Sequence, residues 1–173
     1  MKPRQPDVAY CKKHREFVNE LLEGRGWQDG DCVYTEDAEL SDWEEGGIIT
    51  NLKEDDEGNF VTRIGTSFGR STDYTDQIYT HAGSAVEITQ KCIWIPTEGD
   101  VLGMLAEALP RLGEGDYGWA LEGANDADRY QAWIPDDQYE GTEFLDEDIY
   151  RTDWLETPLI ALLELLRAVE GKG

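Results

Sequence analysis

The sequence predicts an α+β fold, with antiparallel sheet and helices packed on its faces. Three stretches show apolar residues at helical spacing. Between them lie short runs rich in β-branched and aromatic residues, separated by Gly, Asn and Asp clusters. The resulting order is α-β-β-β-(β)-β-α-β-β-α, which places runs of strands between well-separated helices.

The first helix is expected over residues 7–23. Pro6 precedes it, Tyr10, His14, Phe17, Val18, Leu21 and Leu22 recur at helical spacing, and Gly24 ends it. Asp31–Glu36 is a short strand. Gly47–Leu52 and Asn59–Ile64 pair as a hairpin, with Gly58-Asn59 supplying the unusual backbone angles of the turn. Gln77–His81 and Ala85–Ile95 are further strands. A second helix spans 97–109, with Thr97 as N-cap and Glu98 and Asp100 in the first turn, where the helix dipole favours acids. Val101, Leu102, Leu105, Ala108 and Leu109 form its apolar stripe, and Pro110 ends it. Tyr117–Leu121 and Arg129–Ile134 make a second hairpin. The last helix starts at Thr157-Pro158, an N-cap followed by proline at the first helical position, and runs to Gly171. The breadth of its aliphatic face marks it as a buried packing helix. A boundary near 95–97 divides the chain into 1–95, a helix plus strongly acidic strands, and 96–173, an α-β-β-α module. One continuous domain is the alternative.

With 173 residues, 39% of them hydrophobic and 10% aromatic, the chain can build a real core. No window approaches the roughly 18–20 apolar residues of a membrane span. The basic N-terminus MKPRQPDVAYCKKHREF lacks the apolar run of a secretory signal, so a soluble cytoplasmic protein is expected. Three cysteines, Cys11, Cys32 and Cys92, are expected to be reduced thiols. Cys11 and His14 have the spacing of half a zinc site, but no second tight pair completes it.

The net charge of −23 dominates the composition. Residues 1–25 hold six cations against four acids, so the remainder of the chain carries −25. Such a surface repels nucleic acid phosphates and anionic membranes, so neither is an expected direct partner.

Chemical motifs fail on their surroundings. Gly65-Thr66-Ser67-Phe68-Gly69 has the G-x-S-x-G spelling of a nucleophile elbow. The following RSTDYTDQ lacks helical periodicity, and His81 is the only later histidine. KEDDEGNF misses the calcium-loop pattern at both ends, and NDAD lacks the distal glutamate. With 38 acids, chance proximity of two carboxylates carries no message about glycoside hydrolysis. No catalytic residue, metal ligand or cofactor is therefore assigned. A metal-dependent or serine hydrolase is the least favoured reading.

Ile93-Trp94-Ile95-Pro96, the GDVLGML helix, the Trp/Tyr hairpin and the closing ETPLIALLELL helix together resemble small uncharacterised domains of phage and prophage proteins, of the phage ABA-sandwich type. The resemblance covers about residues 93–170. It implies a mobile-element origin, and it supplies no functional residue.

The acids fall in two blocks. The first holds Glu36, Asp37, Glu39, Asp42, Glu44 and Glu45 around Trp43, continuing to Asp55 and Asp56. The second holds Asp136, Asp137, Asp146 and Asp148 around Tyr139. Across 29–57, twelve acids face Lys53 alone. Dense carboxylates with interspersed aromatics suit a basic, Arg-rich partner through paired charges and cation–π contacts. The expected function is a non-enzymatic acidic binding protein. Its sharpest form is a nucleic-acid mimic that inhibits a host nuclease, of the anti-restriction or anti-CRISPR type. The alternative is that the acidity is only solvation or salt adaptation.

Overall fold

A computed structural model describes residues 3–34, 47–54, 60–65, 81–84, 89–112, 117–125, 128–135 and 148–171. The fold is α+β, and the chain divides into two compact units, Met1–Ile95 and Pro96–Gly173.

The first unit opens with α1 (Gln5–Lys13) and α2 (Arg15–Arg25). The single helix expected over 7–23 is two helices, broken at His14 with φ −109° and ψ 36°. The buried positions, Val8, Tyr10 and Cys11 and then Phe17, Val18 and Leu22, keep the three-to-four spacing through the break. Periodicity therefore cannot locate it. The His14 ring lies 4.5 Å from the Tyr10 ring, one turn back. Gly24 does not end α2. The stop is Gly26, at φ 80° and ψ 161°, whose N–H closes onto the Leu22 carbonyl. That backbone region is open essentially to glycine alone.

Five antiparallel strands follow: β1 (Cys32–Tyr34), β2 (Gly47–Glu54), β3 (Phe60–Gly65), β4 (His81–Ser84) and β5 (Ile93–Ile95). Their order in the sheet is β4-β3-β2-β1-β5. Cys32 pairs with Ile48 on one side and Ile95 on the other, so β1 lies inside the sheet, next to its β5 edge. The expected hairpin exists, with Ile49 opposite Ile64 and an irregularity between Thr50 and Lys53; its turn, with Gly58-Asn59, lies outside the described residues. Of the long strand expected over 85–95, residues 93–95 form β5 and 89–91 are helical instead, while 85–88 lie outside the described residues, as do 77–80 of the strand expected over 77–81. Arg15 holds that turn by donating to the carbonyls of Thr89, Gln90 and Cys92. All three residues of β5 are buried, because α1 and α2 pack on this edge strand. Val33, Ile49 and Cys92 form a core cluster, with Trp27 against it.

The second unit contains α3 (Glu98–Ala108), a 3₁₀ turn at Leu109–Leu112, β6 (Ala120–Gly123), β7 (Tyr130–Pro135), β8 (Asp148–Arg151) and α4 (Pro158–Val169). Thr97 caps α3 in a full capping box. The Asp100 N–H donates to Thr97 Oγ1 at 3.1 Å, and the Thr97 N–H donates to the Asp100 carboxylate at 2.8 Å. Pro110 sits inside the 3₁₀ turn that continues α3. Thr157 caps α4 by accepting from the Ile160 N–H at 3.1 Å. The sheet order is β6-β7-β8, antiparallel throughout. The third strand was not expected from the sequence, because β8 is four residues long and half acidic or basic. Helix α4 packs on all three strands on one side and on α3 on the other. This sandwiched position explains why Leu159 to Leu163, with Leu165 and Leu166, are all buried. Among the described residues, no helix is long and apolar enough to cross a membrane.

Candidate functional site

Of the fourteen residues expected to form a binding surface, all but one lie outside the described residues: Glu36, Asp37, Glu39, Asp42, Trp43, Glu44, Glu45, Asp55, Asp56, Asp136, Asp137, Tyr139 and Asp146. The remaining one, Asp148, opens β8 opposite Pro135. Ser67 also falls outside, while Gly65 ends β3 and His81 begins β4.

Asp31 belongs to the acid-rich stretch 29–57 but is withdrawn from any contact surface. It is 5% exposed. Its Oδ2 accepts from Arg25 at 2.9 Å and from the Gln28 N–H at 2.7 Å, and Arg25 lies 5.0 Å from the Trp94 ring centre. One acid and one base are spent on joining the end of α2 to the start of β1.

None of the three cysteines is in a disulfide, and Cys11 and Cys92 are buried. Burial pushes the Cys11 thiol up to about 12, reinforced by Asp7 and Cys32. Burial pushes Cys32 up to about 11. A thiol of this kind is a poor nucleophile, because the reactive form is the thiolate. Among the described residues, no group of three or more His, Cys, Asp or Glu gathers to hold a metal.

The described residues do form one shaped site that sequence reasoning missed. A cleft of about 240 Å³ opens in the second unit. One wall is the chain from Tyr150 to Asp153, together with Leu155; the other is Glu164, Leu165 and Ala168 of α4. Leu155 is fixed by reciprocal backbone hydrogen bonds with Tyr130, each 2.7 Å. Thr152 is fixed by its N–H to the Ala132 carbonyl at 2.9 Å, and its hydroxyl accepts from the Ala132 N–H at 3.0 Å. The strand therefore continues past Arg151 in a bent form, and this bend makes the wall.

Arg151 lines the cleft, but its guanidinium is engaged elsewhere. It donates to Gln131 Oε1 at 3.0 Å and lies 4.9 Å from the Trp133 ring centre. Arg151 and Trp133 are directly opposite in register, so their side chains leave the same sheet face. That face alternates with the one carrying fully buried Ala132 and Ile134, against which α4 packs. On α4, Glu164 Oε1 meets Arg167 at 3.4 Å. The available signal in the sequence was Glu164 itself, a lone acid inside the aliphatic run PLIALLELL.

No family model, no curated protein and no solved structure matches this chain.

Proposed function

We propose that this protein is an acidic binding protein whose carboxylate-rich segments engage a basic partner, in place of the partner's nucleic acid. The observation that carries this reading is the charge. The chain holds −23 in 173 residues, and the part after residue 25 carries −25, in local blocks with few cations. Duplex DNA presents about one charge per 1.7 Å of its axis. A protein surface competes for the same groove only if its acids are comparably dense, as in 36–45 and 136–148. The partner's lysines and arginines then exchange phosphate for carboxylate, and counterions are released on both sides. The finer form, inhibition of a host nuclease by a mobile-element product, rests on this charge together with the C-terminal resemblance.

Neutralising Asp42→Asn, Glu44→Gln and Glu45→Gln together tests the reading, with capture of basic proteins from a lysate as the measurement. The triple variant is expected to lose most of the DNA-displaceable capture while its unfolding midpoint holds or rises. Undiminished capture would remove this segment from the interface.

A further inference from the structure

We propose that Cys11 and Cys32 are a redox pair, which a small-molecule disulfide closes into a bond that ties α1 to β1. The ground is the way the two helices sit on the edge strand β5. Successive residues of a strand face opposite sides of the sheet, and paired residues face the same side. Trp94 is opposite Val33, while Ile93 and Ile95 are opposite Tyr34 and Cys32. Arg25, at the end of α2, lies 5.0 Å from the Trp94 ring centre. Lys12, near the end of α1, lies 5.8 Å from the Tyr34 ring centre. The helices therefore straddle β5. Helix α2 covers the side of Trp94 and Val33, and α1 covers the side of Tyr34 and Cys32. The chain passes round the edge at the His14 break, and all three residues of β5 are buried between the helices.

This arrangement sorts the three thiols. Cys92 packs with Val33 and Ile49, on the α2 side. Cys32 is on the other side, under α1. Cys11 directly precedes Lys12 in α1 and is fully buried. Burial first, then Asp7 and Cys32, push the Cys11 thiol up, so the two thiols act on one another. Cys32 is half-buried and therefore meets the reagent first. Its thiolate bonds to one sulfur of the reagent and expels the other half as a thiol. Cys11 gives its proton to water, attacks the Cys32 sulfur and expels the second thiol. The chain loses two hydrogens, and the reagent's disulfide is reduced to two thiols. The new bond closes the loop from α1 to β1, which restricts the unfolded chain and holds α1 on the sheet.

The test incubates the full chain, folded, with oxidised glutathione in large excess. The product is then denatured in N-ethylmaleimide to label the remaining thiols, and its linked peptides are mapped by mass. A disulfide needs Cα atoms about 4.4–6.8 Å apart, so closure in the folded chain reports the juxtaposition directly. The expected product is two hydrogens lighter before labelling, joined from Cys11 to Cys32, with the maleimide on Cys92. Its α1 amides are expected to exchange with deuterium about tenfold more slowly, and reduction should restore the original rate. Cys92→Ala should leave the yield unchanged, whereas Cys32→Ala should abolish the bond. A bond to Cys92, glutathione left on Cys32 without closure, no reaction, closure only in urea, or α1 amides that exchange no more slowly overturns the proposal.

Discussion

Two glycines two positions apart do opposite work. Gly24 lies inside α2, and a methyl group there would meet nothing within 4 Å. Gly26 is equally unobstructed, yet its φ of +80° and ψ of 161° exclude other residues on backbone grounds. Gly24→Ala is expected to stabilise the chain by about 0.5–1 kcal/mol, because alanine loses less entropy in a helix. Gly26→Ala is expected to destabilise it by about 1–3 kcal/mol. Urea midpoints of the two variants should move in opposite directions; the same direction would contradict the placement of the helix stop. The buried thiols give a pH dependence of definite sign. Cys11 and Cys32 titrate near 12 and 11 in the folded chain, against an ordinary value of 9.0. Above pH 9 the unfolded chain releases thiol protons that the folded chain keeps, so stability falls as pH rises from about 9 toward 11–12. Cys11→Val is expected to flatten part of that slope in denaturant titrations at pH 8, 9 and 10; an unchanged slope would assign it to other groups.

At the scale of elements, the capped helices were the most legible. Thr97 with Asp100 and Thr157 with Pro158 are local patterns in which the side chain bonds a backbone N–H three residues ahead, so no tertiary knowledge is needed. Thr97→Ala is expected to cost about 1 kcal/mol in a urea unfolding titration, with Thr97→Ser recovering most of it. A cost near zero for Thr97→Ala would show that the capping box is inert. Less was legible where tertiary contacts override local pattern. The break at His14 hides in continuous periodicity. The 89–91 turn depends on Arg15, which lies more than seventy residues away in sequence and donates to its carbonyls. Strand β8 is specified by its pairing to β7, with Arg151 opposite Trp133, and its own strand signal is only the two residues Ile149 and Tyr150 between charges. The cleft was invisible for the same reason. Its two walls are separated in sequence by the cap of α4, and they meet only because Leu155 is bonded back to Tyr130.

For the whole molecule, charge is the property with the widest consequences. The sequence alone shows it, since net charge needs no fold. What the acids do depends on where they lie, and Asp31 illustrates the difference: it belongs to the acid-rich stretch, yet it is buried holding Arg25 and the Gln28 N–H. A chain at −23 repels itself, so added salt should raise its unfolding temperature by screening. The same salt should weaken its hold on a basic partner, and these two opposite responses separate function from solvation. The most direct test uses the protein as bait for basic proteins in a lysate at about 50 mM and about 500 mM salt, with duplex DNA added as competitor. The expected result is capture at low salt, release by duplex DNA, and at least a tenfold loss at high salt. Capture that ignores both salt and DNA, or no capture by a chain that needs molar salt to stay folded, would contradict the account and leave the acidic surface as an adaptation for solubility.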